Sequence, residues 1–503
     1  MTFNQSHISW LCLLSILLNT APAFSQPAAA EKSATGLTAL QAVREFYRPD
    51  DVQSVHLTVA EADLKKMLSS LPELVDVPAT FRWRDLTIEN VAIRFKGNSS
   101  SNPKQSHKRS YLIKFEDADH RFFGLRQTSL DNGVQFGSLF SEPIITEILR
   151  EHGVETHRCN YARLYLNKAY QGVYVNVERI DESFIANHFS GAAGSLFKVN
   201  LGGPGSNLQF IGNDPAPYRK TFEAKNKAAK KDVDAPFEFI KWINQSQPAA
   251  FAKNIDAKLE LDDFLRTTAI MLNSGAFDQL TGWNPHNYFL FHDSKKGRWR
   301  YMPWDLDVGF AETAFGKIKV LAEWHAAWPV TPGAPNPLLE RIVSDPRLLE
   351  RYRKECRTIL EKSFEPERLC RIIDDKYKLI REDLKTDPFP HRRITGPGDR
   401  EYDDIVESLK SFVRKRYALS LKQLDEPGER PKFERTDQGG LPPALAAKIE
   451  KVVKAAEEMQ RKGVDVSPIA AVMQKVGPAL QKGQIAEAEK LLDEALKLVG
   501  EKK

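Results

Sequence analysis

The hydrophobic period changes once along this chain, and that change limits the folds that it can adopt. Apolar and polar residues alternate over residues 52–59, 91–95 and 111–115, which is the pattern of half-buried strands. Later in the chain the period becomes helical, and residues 261–272 place their apolar side chains on one helical face. The sequence therefore predicts an α+β protein, with a β-rich part before a mainly helical part.

The boundaries of these two parts follow from the same patterns. A chain of 503 residues is long for one compact core. We expect a β-rich N-terminal lobe over residues 46–180, in which residues 138–152 form one helix and residues 163–167 and 172–178 form two further strands. The mainly helical C-terminal lobe is predicted over residues 181–425.

The last part of the chain differs in composition from the lobes. Pro, Gly and charged residues are concentrated in residues 426–443, which predicts a linker. Residues 444–503 have amphipathic helical patterns and are predicted to form a helical C-terminal module. Two interpretations stay open for this module: a small appendage that packs on itself, or a coil that binds a partner.

The first residues indicate export. Residues 1–25 contain a short apolar stretch followed by small residues, with cleavage after Ala23 or Ser25, as in a secretory signal peptide. Residues 26–45 predict a flexible lead-in. We therefore expect a protein that is secreted or held in the periplasm or cell envelope. The alternative is an uncleaved anchor, but the apolar stretch is shorter than the ~20 residues that a membrane span needs, and no later segment is apolar enough.

Composition excludes several classes of function. The formal charge is +5, from 72 basic and 67 acidic residues that are interspersed, so the chain has no nucleic-acid-binding footprint. Outside the signal segment the cysteines are Cys159, Cys356 and Cys370. Export permits one disulfide, with Cys356 and Cys370 the nearer pair in sequence. An odd number of cysteines without a CxxC motif argues against a disulfide scaffold and a zinc site.

Residues 278–307 combine a polar loop, a hairpin and four oxygen-bearing side chains. Asp278 and Asn287 lie in the loop before the hairpin, and Asp305 and Asp307 follow its second strand. Mg²⁺ takes oxygen ligands, usually one or two carboxylates together with phosphate oxygens. Phosphoryl transfer uses such metals with another carboxylate that orients the attacking hydroxyl. The order of these residues predicts a metal and phosphate site.

Simpler interpretations exist for single residues of this segment. Asp305 and Asp307 could be turn caps at the end of a strand, and Asp293 belongs to the hairpin turn. His286 and His292 have no third nitrogen or sulfur ligand at a spacing that suits a transition metal, so we expect them to be ordinary polar residues. Only the combination of Asp278, Asn287 and Asp305 around one hairpin favours a functional site.

Four stretches together resemble a known family. They are RFKGNSS at residues 94–100, RLYLN at 163–167, GVYVNVE at 172–178 and WRYMPWDLD at 299–307. The chain resembles the CotH kinase family, the spore coat protein H-like atypical secreted protein kinases, over roughly residues 50–420. The resemblance implies a two-lobed atypical protein-kinase-like fold, with a β-rich N-lobe and a mainly helical C-lobe.

The resemblance also implies nucleotide contacts in the first lobe. A phosphate-covering loop is implied at Gly97, Asn98, Ser99 and Ser100. Lys114 looks like the strand lysine that contacts the nucleotide's phosphates. Alternation along its strand also allows Lys114 to be an ordinary outward residue.

Further contacts are implied around this lysine. A kinase lysine is usually held by a glutamate on the neighbouring helix, here Glu142, with Glu147 as the alternative. Lys198 is implied as a second contact near the nucleotide. Glu178 begins the implied hinge between the lobes, where adenine docks.

In the second lobe the resemblance implies the chemistry of transfer. Asp278 looks like the catalytic residue that orients or accepts the hydroxyl proton, Asn287 and Asp305 look like metal ligands, and Asp307 looks like a residue that shares the metals. The chain departs from ordinary protein kinases, because no His-Arg precedes Asp278 and the Asp-to-Asn gap is nine residues. In addition, Asp-Leu-Asp replaces Asp-Phe-Gly. The departure at Asp305 to Asp307 fits the family, whereas the longer gap bears on the role of Asp278.

The resulting hypothesis is an exported atypical Ser/Thr protein kinase. It would use ATP with Mg²⁺ or Mn²⁺ to phosphorylate exported or envelope proteins, and the sequence does not identify the protein substrate. The alternative is a non-catalytic surface scaffold or adhesin that keeps the kinase-like fold. Glycoside hydrolysis needs two carboxyl groups held apart across a sugar, and Asp305 and Asp307 are too close in sequence for that.

Overall fold

The computed structural model describes most of the chain. The described residues are 38–115, 122–283, 285–315, 318–330, 336–395, 400–431, 443–461, 464–481 and 485–501. The predicted signal peptide, residues 1–25, and the first part of the predicted lead-in lie outside them. So does most of the predicted linker.

The β-rich part forms a closed barrel of seven strands. They are β1 (Val52–Thr58), β2 (Val77–Trp83), β3 (Leu86–Lys96), β4 (Ser110–Lys114), β5 (Gln127–Asp131), β6 (Cys159–Leu166) and β7 (Ala169–Glu178). Their order is β1-β2-β3-β4-β5-β7-β6, and the parallel pair β1–β6 closes the barrel. Alternation explains the burial pattern: Val91, Ile93 and Phe95 of β3 face the interior, whereas Arg94 and Lys96 face outward.

Four helices accompany the barrel strands. They are α1 (Ala39–Phe46), α2 (Glu61–Ser69), α3 (Asn98–Ser101) and α4 (Ser141–Glu151). Thr38 caps α1 in a capping box with Gln41, and Phe46 is fully buried in the barrel core. The prediction that a flexible lead-in extends to residue 45 is therefore wrong for residues 39–45, which are anchored by apolar burial.

A second sheet follows the barrel. Its strands are β8 (Gly194–Val199), β9 (Glu223–Ala224), β10 (Tyr288–Asp293) and β11 (Arg298–Pro303), in the order β11-β10-β8-β9. The hairpin β10–β11 agrees with the sequence, and its pairing with β8 places Lys198 opposite Phe289. The region predicted as mainly helical thus also contains a four-stranded sheet.

Helices surround this second sheet. They are α5 (Glu182–His188), α6 (Ala216–Thr221), α7 (Lys227–Lys231), α8 (Ala235–Gln245), α9 (Pro248–Lys258), α10 (Leu261–Ser274), α11 (Val320–Glu323), α12 (Pro337–Ser344), α13 (Pro346–Ser363), α14 (Pro366–Lys385) and α15 (Tyr402–Asp425). The predicted helix over residues 261–272 is α10. It ends at Gly275, whose φ of 68° suits glycine and turns the chain into the polar loop.

A mixed α+β fold is confirmed, while the two-lobed arrangement stays a prediction. One core fills the barrel around Phe46, Phe81 and Ile113. A larger core continues from Val175, on the outer face of the barrel, into the helical region. Because the barrel's outer face belongs to that larger core, the barrel and the helical region share buried apolar surface.

The last three helices form a core of their own. They are α16 (Pro443–Arg461), α17 (Ser467–Gln481) and α18 (Ile485–Glu501). Val452, Ile469 and Leu492 lie in this core, in agreement with the amphipathic pattern. Among the described residues, no helix is both long and apolar enough to cross a membrane.

The three cysteines of the described chain are buried thiols. Cys159, Cys356 and Cys370 are all free. The disulfide between Cys356 and Cys370 that export would permit is therefore absent. Burial raises the pKa of the Cys159 thiol to about 12, so it is protonated and unreactive at neutral pH.

A buried ion pair fastens the segment after α14 to the barrel. Lys108, just before β4, contacts the carboxylate of Asp387, and their side chains are 3% and 0% exposed. The backbone N–H groups of Val173 and Phe389 also donate to this carboxylate, at 3.3 and 3.0 Å. Gly172 is required beside it, since a Cβ there would lie 2.2 Å from the Asp387 carboxylate. Asp387 therefore depends on Lys108 to balance its buried charge.

We expect Lys108→Ala to reduce the free energy of unfolding by about 3 kcal/mol, because it leaves the Asp387 carboxylate buried without its main countercharge. Urea unfolding followed by circular dichroism measures this change. Lys385→Ala is the control, since it removes an exposed pair with Glu382 and is expected to change the midpoint little. Equal midpoints for Lys108→Ala and the wild type would contradict the prediction.

Candidate active site

A polar cavity of about 820 Å³ lies where the barrel meets the second sheet. One group of lining residues carries oxygen atoms suited to a cation: Asp131, Asp278, Asn287, Asp305 and Asp307. A second group is cationic: Arg94, Lys96, Arg179, Lys198 and Lys225. Opposite charges are therefore gathered in one place from separate stretches of the chain.

The polar loop after α10 brings Asp278 and Asn287 together. The Asn287 side-chain amide donates to Asp278 Oδ2 at 3.2 Å, and His286 Nδ1 lies 3.2 Å from Asp278 Oδ1. Asn287 has a φ of 53°, in the left-handed region that Asn tolerates better than most residues. Asp278 and Asn287 are nine residues apart in sequence, and the loop between them folds back so that their side chains are in contact.

Backbone hydrogen bonds hold the acidic segment after β11 in place. The Trp304 N–H donates to the Asn287 carbonyl at 2.9 Å, which joins this segment to the polar loop. On the other side, Ser141 Oγ donates to the Leu306 carbonyl at 2.6 Å, and the Gly137 N–H donates to the Asp307 carbonyl at 3.0 Å. The segment is therefore held between the polar loop and the N-terminal end of α4.

Lys96 connects the barrel to the acidic residues. Its Nζ lies 2.6 Å from Asp131 Oδ2 and 3.9 Å from Asp305 Oδ1. Burial opposes the charge of Lys96, but these two carboxylates raise its pKa overall. Lys96 is therefore a charged lysine at the end of β3, between two of the acidic residues.

The carboxylates are crowded beyond what Lys96 can balance. Burial raises the pKa of Asp307 well above its usual value, and Asp305, Glu142 and Asp131 raise it further. Burial also raises the pKa of Asp131, and the neighbouring carboxylates oppose the effect of Lys96 there. Asp131 Oδ1 is buried without a hydrogen-bond partner among the described residues. A further positive charge next to Asp131, Asp305 and Asp307 would therefore stabilise their carboxylate forms.

The cations on the other side of the cavity are crowded as well. Burial lowers the pKa of Lys198 to about 7, and the nearby Arg179 adds to the decrease while Asp305 opposes it. Arg179 lies over the Trp304 ring at 4.4 Å, and its Nε and Nη1 are buried without hydrogen-bond partners in the described part of the chain. Buried N–H groups of this kind cost free energy unless a ligand accepts their hydrogen bonds.

Several predicted site residues are brought together by the structure. Asp278, Asn287, Asp305, Asp307 and Lys198 all line the cavity. The oxygen-bearing residues and one cation thus meet as the sequence indicated.

Lys114 is not brought into the cavity, so its assignment needs correction. It pairs with Asp76, at 2.5 Å, and does not line the cavity. In the register of β3 with β4, Lys96 lies opposite Ser110, four residues before Lys114. That separation is roughly 13 Å along the strand at about 3.3 Å per residue. Lys96 therefore holds the position that the sequence assigned to Lys114.

The predicted glutamates are occupied by other partners. Glu142 is 2% exposed, lies outside the cavity lining and pairs with His157 at 3.0 Å, so it does not hold the strand lysine. The alternative, Glu147, pairs with Lys376 at 2.8 Å.

The hinge residue is also misassigned. Glu178 lies outside the cavity lining and is 1% exposed, because the Arg158 guanidinium and His188 hold it in an internal ion-pair network. Despite burial, these two partners lower its pKa to about 2. Glu178 is therefore a structural anion, and the next residue, Arg179, faces the cavity.

The predicted phosphate-covering loop is a short helical turn. Gly97, with a φ of 84°, and Asn98 line the cavity. Ser100 is buried and its hydroxyl accepts the Ser110 N–H at 2.7 Å, so it supports the start of β4 instead of facing a ligand. Ser99 lies in the same turn, α3.

Sequence reasoning missed Lys96, Asp131 and Arg179 as site residues. Lys96 and Arg179 stand at or next to ends of strands, Lys96 directly before Gly97 and Arg179 directly after Glu178. Lys96 and Arg179 could have been found from the sequence, because each is a charged residue at the point where a predicted strand ends and a turn begins. Asp131 ends the otherwise buried strand β5, and an acidic residue at that position is a comparable signal.

The oxygen-bearing residues have the side-chain chemistry that a hard divalent cation uses. Among the residues that the structure describes, no three His, Cys, Asp or Glu side chains are grouped closely enough to hold a metal ion by themselves. Mg²⁺ commonly uses one or two carboxylates and takes phosphate or water oxygens for the rest of its shell. Asn287, Asp305 and Asp307, with the unsatisfied oxygen of Asp131 nearby, offer this kind of partial shell.

Comparison with known proteins identifies relatives. A family model described as "CotH kinase protein" matches residues 93–419, well over half of the chain. The inner spore coat protein H of Bacillus subtilis (strain 168) is 23% identical over 355 residues, which cover 71% of this chain and 94% of that protein. Among solved structures, the Helicobacter pylori proinflammatory kinase CtkA is 10% identical over 63% of this chain and 93% of that chain, with a TM-score of 0.29. A score that low does not establish a shared fold.

We expect Lys198→Met to stabilise the ligand-free protein below pH 7 by a few kcal/mol, on the order of 1.4 kcal/mol for each unit of pKa decrease. Lys198 titrates near pH 7 when folded and near pH 10.5 when unfolded. Its unfolded state therefore binds the extra proton between these values, so wild-type stability rises with pH and the advantage of Lys198→Met shrinks from pH 7 to 10.

Urea unfolding at pH 6, 8 and 10 measures this advantage. Lys220→Met is the control, because Lys220 is exposed and lies outside the cavity. An advantage of Lys198→Met that does not vary with pH would show that Lys198 is an ordinary lysine.

Proposed function

The chain belongs to the CotH kinase protein family, and we propose that it is an atypical kinase that transfers the γ-phosphate of ATP to Ser or Thr hydroxyls of exported or envelope proteins. The family gives the coarse class, a kinase-related protein. ATP as donor, Mg²⁺ as metal, Ser or Thr as acceptor and an exported location are the proposed details. They rest on the cavity and on the sequence features described above.

One observation supports the proposal most directly: the cavity holds crowded carboxylates and crowded cations at the same time. A triphosphate bound with a divalent cation has the matching charges, because the metal would balance the carboxylates and the phosphates would balance the lysines and arginine. A ligand with one sign of charge would satisfy only one group. Mg-ATP satisfies both.

The residues that would hold the metal are Asn287, Asp305 and Asp307. When bound, Mg²⁺ or Mn²⁺ would neutralise charge on the transferring phosphoryl group. Asp305 is the main ligand in this proposal, because its carboxylate is 37% exposed and faces the cavity. Asp307 is half-buried and its pKa is raised. A cation bound next to it would lower that pKa and favour the carboxylate form that binds a metal.

Asp278 is the proposed acceptor of the hydroxyl proton. The Asn287 amide and the His286 ring contact its two oxygens, so its orientation is defined before a substrate arrives. A carboxylate held in this way can align an attacking hydroxyl with the phosphorus atom. We therefore propose that Asp278 orients the attacking hydroxyl and accepts its proton.

Lys96, Arg179 and Lys198 are the proposed phosphate contacts. The two unsatisfied N–H groups of Arg179 would gain acceptors from phosphate oxygens. Bound phosphate would also favour the protonated form of Lys198, whose pKa is lowered without a ligand. These residues bind and orient the donor, and none of them needs to react.

The proposed location follows from a separate argument. The relative from Bacillus subtilis is named an inner spore coat protein, and residues 1–25 of this chain have the pattern of a signal peptide. We therefore place the activity outside the cytoplasm, at the cell envelope or beyond.

The second candidate is a non-catalytic scaffold or adhesin. The helices of the C-terminal module, which pack on one another, are compatible with that role. A scaffold has no need of unsatisfied groups such as Asp131 Oδ1 and Arg179 Nε in an internal cavity. We therefore favour the enzyme.

We expect Asp278→Asn to reduce phosphate transfer at least about 100-fold, because it removes the proton acceptor, while ATP binding changes only a few-fold.

Asp305→Ala is expected to weaken Mg²⁺-dependent ATP binding at least tenfold, because it removes the main metal ligand. Calorimetry with ATP and Mg²⁺ measures binding, and γ-labelled ATP with dephosphorylated casein measures transfer.

Asp293→Asn is the matched control, since Asp293 ends β10 in the same hairpin but does not line the cavity. It should preserve both binding and transfer. Stable wild-type protein that binds no ATP in the presence of Mg²⁺ or Mn²⁺ would refute the kinase proposal. ATP binding without any transfer, unaffected by Asp278→Asn, would favour the scaffold.

A second prediction compares the two strand lysines. We expect Lys96→Ala to reduce ATP affinity at least tenfold, whereas Lys114→Ala should remain within about twofold of the wild type, because only Lys96 reaches the cavity. Lys96→Ala also leaves Asp131 without its partner, so the double variant Lys96→Met with Asp131→Asn serves as a second test that removes both charges. A large loss of affinity in Lys114→Ala with none in Lys96→Ala would restore the assignment made from the sequence.

A further inference from the structure

One wall of the cavity is aromatic, and the proposed phosphate and metal contacts do not use it. Phe136, Phe277 and Phe315 meet edge to face, with ring centroids 5.1 to 6.1 Å apart. Phe136 and Phe277 are buried, whereas Phe315 is 65% exposed. We call these three residues the aromatic wall.

Phe315 is held in a costly arrangement. Its φ is 52°, a left-handed conformation that is uncommon for a bulky residue and costs on the order of 1 kcal/mol. Its ring also remains exposed to water. Two backbone hydrogen bonds between Ala314 and Ile318, of 2.8 and 2.9 Å, hold the residue that precedes Phe315 in place. An exposed aromatic ring in a strained and anchored position points to contact with a ligand.

The position of the wall identifies the part of a ligand that it would contact. Phe277 directly precedes Asp278, and Phe136 directly precedes Gly137, whose N–H donates to the Asp307 carbonyl. The wall therefore adjoins Asp278 and the acidic segment. Arg179 and Lys198 lie around the Trp304 ring, which is at the other end of that segment from Asp307, at 4.4 and 5.9 Å from its centroid.

This arrangement separates acceptor from donor. The acceptor hydroxyl must approach Asp278, whereas the nucleoside lies at the far end of the triphosphate from the transferred phosphoryl group. The chain segment next to the acceptor hydroxyl is therefore the part of the two substrates that comes closest to the aromatic wall.

Resting on the kinase function proposed above, we infer that the aromatic wall receives an apolar side chain next to the phosphoacceptor residue, so that the acceptor is a polypeptide with an apolar neighbour beside its Ser or Thr. A leucine, isoleucine, methionine or phenylalanine there would cover the Phe315 ring and lose its own contact with water. The wall selects the acceptor and takes no part in the chemistry.

A position-scanning peptide set tests this inference. Each peptide carries one Ser, and one flanking position at a time is set to Leu, Lys, Glu or Ala in an otherwise constant sequence. Transfer from γ-labelled ATP with Mg²⁺ is measured for full-length protein. We expect wild type to prefer Leu over Ala about tenfold at one flanking position, since a partial apolar contact is worth roughly that much.

Phe315→Ala should abolish this preference through a higher KM for the Leu peptide, and Phe315→Leu should restore most of it. Leu68→Ala, which removes a side chain that is 47% exposed on α2, is the control and should keep the preference. The inference is overturned if wild type shows no apolar preference, if Phe315→Ala retains it, or if Phe315→Ala instead raises the KM for ATP, which would assign the wall to adenine. Absence of transfer to every peptide by a protein that also binds no ATP would overturn the kinase proposal together with the inference.

Discussion

The site depends on the backbone hydrogen bonds that hold the segment from Trp304 to Asp307. This segment receives a bond from Ser141 on α4 and is bonded through Trp304 to the loop that contains Asn287. The Ser141 bond joins elements that are far apart in sequence, and the Trp304 bond continues the hairpin past its base, so the carboxylates of Asp305 and Asp307 are positioned by the barrel side and the hairpin side together. The other cavity residues lie around the segment that these two hydrogen bonds, from Ser141 to Leu306 and from Trp304 to Asn287, hold in place.

This arrangement forces like charges together, and the cost is visible on both sides of the cavity. Burial and neighbouring carboxylates raise the pKa of Asp307, while burial and Arg179 lower that of Lys198. A fold selected only for stability would replace such groups with apolar residues. The ligand that we propose carries both signs of charge and would balance both sets, so that the free energy that their burial costs would be recovered on binding.

Much of the fold and half of the site could be predicted from the sequence. The hairpin, the helix before it and the order of Asp278, Asn287 and Asp305 are local features, and local patterns were sufficient to find them. The strands β8 and β9 were not predicted, since β9 has only two residues and is defined by pairing with β8. Glu142 and Glu178 were misassigned because their partners, His157 and Arg158, are set by tertiary contacts.

The exchange of Lys96 for Lys114 shows which information the pattern lacked. Both lysines face outward, because each alternates with the residues of its strand that lie in the barrel core, such as Phe95 and Ile113. Alternation along a strand does not show which end of the strand reaches the site. The antiparallel register shows it, because Lys96 lies beside Ser110 and Lys114 lies beside Ala92. Lys96 directly precedes Gly97, and Gly97 lines the cavity. Position relative to the turn therefore separates the two lysines, and the same criterion points to Arg179, which follows the last residue of β7.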